Sequence, residues 1–102
     1  MRIEHELGTM TQEDARARLG ALGDYFQNKH GMQVTWTGDR ATVKGRYLVV
    51  SVEGTLSFAG NKVVFEGKDP GMLWRGKAKE YLSRKIGRYL DPGAPLASLP
   101  RG

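Results

Sequence analysis

Residues 69–90 read DPGMLWRGKAKEYLSRKIGRYL. Asp69 has the chemistry of a helix N-cap, because its carboxylate accepts from the first free backbone N–H groups. Pro70 suits the first helical position, where a missing N–H costs nothing. Asp91-Pro92-Gly93 cannot continue a helix and marks the stop. At about 100° per residue, Trp74, Ala78, Tyr81, Leu82, Ile86 and Tyr89 fall on one broad face. A helix with such a face must bury it, so the rest of the chain has to supply a surface of matching width.

The upstream residues supply strands. Arg2 to Leu7 alternates, with Ile3, His5 and Leu7 on one face and Arg2, Glu4 and Glu6 on the other. His5 reads as a hydrogen-bonded core histidine, with a ligand or base role as the alternative. Thr11 is the N-cap of a first helix, with Asp14 three residues on. Ala15, Leu19, Leu22 and Phe26 give that helix one apolar stripe, and Gly31 ends it in the left-handed C′ role. His30 lies in its last turn, where a cation suits the helix dipole.

A meander follows. Val34 and Trp36 share a face of Gln33 to Thr37, Gly38-Asp39 turns the chain, and Ala41 and Val43 alternate with Arg40, Thr42 and Lys44. Arg46 to Phe58 reads as one long strand with Gly54 as a bulge or bend. Ala59-Gly60-Asn61 turns into Lys62 to Glu66. The reading is an α+β fold in the order β-α-β-β-β-β-α. Its curved antiparallel sheet packs on two helices and clasps the C-terminal one. Residues 1–91 form a single domain, and the Pro- and Gly-rich residues 92–102 form a flexible tail.

The chain has 102 residues, 39% hydrophobic and 26% charged, enough for one modest core. It has no cysteine, which removes disulfides, thiolate chemistry and cysteine-based metal sites. The N-terminal MRIEHELG has no apolar signal core, and no stretch is long and apolar enough to span a bilayer. A cytoplasmic location is the expectation.

The net charge of +5 coincides with the last helix. There Arg75, Lys77, Lys79, Arg84, Lys85 and Arg88 stand against Glu80 alone. Arg75, Lys77, Arg84 and Arg88 are the candidate anion- or partner-binding residues, through phosphates or another anionic surface. The same residues also fit a solvated face whose long stems cover apolar edges. Lys85 lies nearer the apolar face and must snorkel or line a pocket mouth. Gly76, Ser83 and Gly87 form a ridge of small residues that would let another backbone approach, so a homodimer contact is a candidate role.

No catalytic constellation emerges. G-x-x-x-x-G-K at residues 71–77 is followed by Ala78 where a hydroxyl is needed, and the segment reads as helix rather than loop. The two histidines are 25 positions apart, without a carboxylate or cysteine at ligand spacing. No serine stands in a nucleophile elbow. Glu53 and Glu66, on neighbouring strands, fit a solvated face better than an acid–base pair. The expectation is a protein that is no enzyme and takes no metal or cofactor.

The whole arrangement resembles the polyhydroxyalkanoic acid system family, also described as the polyhydroxyalkanoate granule region family. The resemblance lies in Ile3-Glu4-His5-Glu6-Leu7-Gly8, the helix TQEDARARLGALGDYFQNKHGM, and Val34-Thr35-Trp36 before a Gly-Asp turn. It continues through Val52-Glu53-Gly54, the hairpin TLSFAGNKVVF and a last helix ending near Leu90-Asp91. The resemblance implies a place in storage-polyester systems and carries no catalytic residues. Three functions follow as expectations. The first is a non-enzymatic accessory protein that binds a granule surface, a granule protein or itself. The second is a binder of a small apolar ligand, lipid or acyl, in a cavity lined by Trp36, Phe58, Phe65, Trp74 and Tyr81, which otherwise are simply core. The third is a nucleic-acid or anion binder through the basic helix, a weaker reading because most aromatics there face the core.

Overall fold

A computed structural model describes residues 1–102. The strands are β1 (Arg2–Glu6), β2 (Gln33–Thr37), β3 (Arg40–Tyr47), β4 (Val50–Ala59) and β5 (Lys62–Gly67), and the helices are α1 (Gln12–His30) and α2 (Arg75–Tyr89). The strands form one antiparallel sheet in the order β1-β5-β4-β3-β2. The sheet is not closed, and the fold is α+β with the expected order of elements.

Strand register sorts the side chains. Val43 pairs with Val34 and Gly54, Leu56 with Ala41 and Phe65, and Ile3 with Phe65. These positions share the apolar face, against which α1 and α2 pack. The opposite face carries an ion-pair lattice in which Arg2 meets Glu4 and Glu66, and Lys62 meets Glu4. Glu66 lies opposite Thr55 and Glu53 opposite Lys44, so the two carboxylates do not face each other.

α1 follows its sequence signals closely. The Thr11 hydroxyl accepts from the Asp14 N–H at 3.1 Å. Gly31 adopts φ +67, and its N–H reaches the Gln27 carbonyl at 3.1 Å. Ala15, Leu19, Leu22 and Phe26 are buried.

Three boundaries differ from the sequence reading. Arg46 to Phe58 is not one strand. It is broken by a tight turn at Leu48-Val49, with Tyr47 opposite Val50. Gly54 is no bulge either, because pairing runs unbroken from Ala41–Leu56 to Tyr47–Val50. A Cβ there would overlap the Phe65 ring at Cζ, so the glycine is required by a ring crossing from the next strand. Asp69 does not cap α2. Its carboxylate accepts from the Gly71 N–H at 2.9 Å, closing a local turn in which Gly71 takes φ +101. That conformation excludes Gly71 from a helix, so α2 starts at Arg75.

Residues beyond 91 pack back on the domain. A single 3-10 turn spans Leu96–Ser98, Leu99 is buried, Asn28 donates to the Arg101 carbonyl at 2.7 Å, and Arg101 pairs with Asp24 at 2.6 Å.

Candidate functional site

The apolar face of the sheet is low at its middle. Val43 and Val52 form the floor there on β3 and β4, each opposite a glycine, Gly54 and Gly45, that is covered by the Phe65 ring and by Met32. Above them α2 offers Ala78 and Leu82. α2 comes close to α1 and β1 and stands off from β3 and β4. Short side chains facing each other across this gap leave an apolar cavity of about 390 Å³. Its volume falls in the range of small-molecule sites, about 300–1,000 Å³.

α1 contributes Leu19, Leu22 and Phe26 to the wall, the sheet contributes Val34, Val43, Val52 and Leu56, and α2 closes the top. The charged lining residues are Lys77, Glu80 and Arg84, all on α2. Lys77 and Arg84 are two turns apart, and neither has a carboxylate within salt-bridge distance. The site is thus an apolar chamber with unpaired cations at its edge.

Tyr47 and Tyr81, also in the lining, belong to a second feature. Their rings stack at 5.0 Å with planes 25° apart. The His30 ring meets Tyr47 edge-on at 4.8 Å, and its Nε2 lies 3.4 Å from the Tyr81 hydroxyl. Lys85 places its ammonium 4.4 Å above Tyr25 and 5.7 Å from Tyr81. Burial pushes the Tyr81 hydroxyl up to about 12, so it stays protonated in ordinary buffers. Burial, with help from Lys29 and Lys85, holds His30 below its usual value, which favours the neutral ring.

The sequence-predicted residues are placed as follows. Trp36, Phe65, Trp74 and Tyr81 line the cavity, whereas Phe58 is half-buried core outside the lining. Of the basic residues, Lys77 and Arg84 reach the cavity edge. Arg75 is engaged by Asp69 at 2.6 Å, and Arg88 is exposed in the last turn of α2. The small ridge is divided: Gly76 and Ser83 face solvent, and Gly87 lies beside the His5 ring of β1. His30 packs inward against tyrosines rather than pointing at the helix end, and Lys85 snorkels as its position on the helix requires.

The sequence reading missed Leu48 and Val50 as lining and Leu48-Val49 as a rim. The available signal was the run LVV between two alternating segments, which one strand can expose on only one face at a time. The chain brings no three His, Cys, Asp or Glu side chains together in a metal-holding group. No helix is long and apolar enough to cross a membrane.

With the geometry in place, comparison with known proteins adds one finding. A family model described as "Putative polyhydroxyalkanoic acid system protein" matches residues 1–92. No curated protein and no solved structure matches the chain.

Proposed function

The chain belongs to the polyhydroxyalkanoic acid system family, and from that premise we propose that it is a non-enzymatic binding component of storage-polyester systems, acting in the cytoplasm. Its ligand is an aliphatic carboxylic acid of the alkanoic class from which such polyesters are built. The apolar tail enters the cavity, and the carboxylate stays at the edge beside Lys77 and Arg84.

The observation that carries this reading is the apolar cavity of about 390 Å³ with its only charged lining on α2. An apolar chamber favours a hydrocarbon chain by removing it from water, at roughly 25 cal/mol per Å² buried. The two cations give the chain a direction, because a carboxylate cannot leave water without a partner.

Trp36 and Trp74 both line the cavity, so the protein carries its own probe. Straight-chain carboxylates of increasing length and 3-hydroxydecanoate would be titrated against tryptophan fluorescence and checked by calorimetry. The expected result is saturable one-to-one binding that tightens with chain length up to the capacity of the cavity. Ala78→Leu and Val43→Phe should fill the space and weaken it. Lys77→Gln with Arg84→Gln should weaken carboxylates more than the matching alcohols. Folded protein that bound none of these chains would end the proposal.

A further inference from the structure

The exposed large hydrophobic residues are Leu48, Val49, Met72 and Leu73, at 74%, 71%, 86% and 86% exposure. They occur as two adjacent pairs at two chain reversals, the β3–β4 hairpin and the connection from β5 to α2. Neither pair contributes to the core. Most exposed apolar side chains in a soluble domain are scattered singly, and paired ones at loop tips call for a reason.

The hairpin adds a second observation. Leu48 is the chain's one non-glycine residue with positive φ, at +57. A two-residue hairpin loop takes glycine or asparagine at such a position, because a side chain is strained there. The other two hairpins obey this rule, with Gly38 at +60 and Gly60 at +59. Leu48-Val49 therefore places apolar side chains where the fold itself prefers small or polar ones.

The two tips are neighbours. Leu48 lines the cavity, and so does Trp74, the residue after Leu73. Both tips thus adjoin the cavity. The cations nearby are Arg46 by the hairpin, Lys68 before the connection, and Lys77 and Arg84 on α2. None of the four has a carboxylate within salt-bridge distance, whereas the nearby Asp69 is taken by Arg75.

From this combination we propose that the cavity-mouth end of the molecule docks on an anionic lipid surface. Leu48, Val49, Met72 and Leu73 enter the acyl layer, and the unpaired cations meet the head groups. Charge selects this occupant over a second copy of the chain. Glu80 is the one carboxylate in the cavity lining, against four unpaired cations at this end, so a twofold contact through it would set net positive charge against net positive charge. Docking would also bring the cavity mouth to the layer where aliphatic chains reside. The inference does not rest on the cavity being filled.

The test is co-sedimentation of the full chain with two vesicle types, phosphatidylcholine alone and phosphatidylcholine with an equal part of phosphatidylglycerol. Wild type should sediment with the anionic vesicles, and added salt should weaken the association. Two double variants separate docking from folding. Leu48→Gly with Val49→Asn installs the turn residues the hairpin prefers, so it should unfold at a higher temperature while losing about tenfold or more in vesicle binding. Met72→Ser with Leu73→Ser should lose binding similarly and keep the fatty-acid titration unchanged, because neither residue lines the cavity. The proposal is overturned if wild type ignores anionic vesicles, or if both stable variants bind them as wild type does. It is equally overturned if the tips instead support a dimer that disappears in the same variants.

Discussion

Arg18, in the middle of α1, donates from its guanidinium to the Asp91 carbonyl at 2.9 Å and to the Tyr89 carbonyl at 3.4 Å, at the end of α2. The last carbonyls of a helix have no partner within the helix, and here the other helix supplies one. Asp14, one turn back, holds the same guanidinium at 3.1 Å. Arg18 is only 6% exposed, so its charge is both paired and hydrogen-bonded. Arg18→Ala should therefore lower stability by about 2–4 kcal/mol, from lost charged hydrogen bonds and lost packing of the stem. Arg18→Met restores the stem alone and should recover only part of it. Urea unfolding followed by circular dichroism measures both, and an Arg18→Ala protein as stable as wild type would show that water replaces the guanidinium without cost.

Gly54 provides a sharper steric test. A Cβ at this position would overlap Phe65 Cζ and lie 2.8 Å from Phe65 Cε2 and 2.9 Å from the Glu66 carbonyl oxygen. The ring could swing, but the carbonyl belongs to the paired strand and cannot. Gly54→Ala should cost at least about 1–3 kcal/mol through overpacking. Adding Phe65→Leu should recover part of that loss and leave the carbonyl contribution. A thermal melt of the single and double variants decides it. Identical melting for Gly54→Ala and wild type would place the Phe65 ring elsewhere.

Tyr81 predicts an alkaline signature. Its ordinary value is 10.0, and burial raises it to about 12 in the folded protein. Unfolded chains lose the hydroxyl proton earlier than folded ones. The contribution to stability is therefore complete below about pH 10 and disappears as pH rises through about 12. Absorbance of tyrosinate should show a late component that Tyr81→Phe diminishes, leaving that of Tyr89, whose hydroxyl burial also raises, while stacking on Tyr47 keeps the substituted ring in place. If Tyr81→Phe instead reduced the amplitude near pH 10, the side chain would have to be solvated.

Much of this architecture is legible in residues whose local and global demands agree. Thr11 and Gly31 bound α1 because cap chemistry needs only neighbours in sequence. The alternation of Ile3, Val34, Val43 and Phe65 identifies the buried face because register preserves it. The misreadings arise where a residue answers to something distant. Asp69-Pro70 is an apt helix start, but Gly71 next to it takes a left-handed conformation and sends the carboxylate to a local turn. Leu48-Val49 carries none of the residues that announce a hairpin, so the run LVV is the only trace the break between β3 and β4 leaves in the sequence. Arg18 sits inside an apolar stripe, and nothing near it in sequence reveals that its partners are 71 and 73 positions away. The cavity is intermediate. Four of its aromatic lining residues are recognisable as apolar, but the empty space comes from small residues on separate elements that only the fold brings together.

His30 yields the prediction at the acid end. Burial, then Lys29, then Lys85 hold it below its ordinary value of 6.5 in the folded chain. The groups around the ring are Tyr25, Phe26, Tyr47, Tyr81 and Lys85, and none of them is a carboxylate that would favour the charged form. As pH falls past 6.5, the unfolded chain takes up a proton that the folded chain refuses. The unfolded state then binds more protons, so stability falls with falling pH. The loss begins near the unfolded value and levels off once the pH passes the lowered value of the folded state. Protonation would also set an imidazolium near Lys85 and break any bond in which Nε2 accepts from the Tyr81 hydroxyl. Urea midpoints measured from about pH 7.5 down to about pH 5 should slope downward for wild type and be flatter for His30→Gln, which keeps a neutral polar group there. Lys85→Gln should shrink the slope without abolishing it, because burial is the larger cause. A His30→Gln slope equal to that of wild type would assign the acid sensitivity to the exposed carboxylates of the sheet's outer face, beginning with Glu4, whose pairing with Arg2 and Lys62 lowers its own titration.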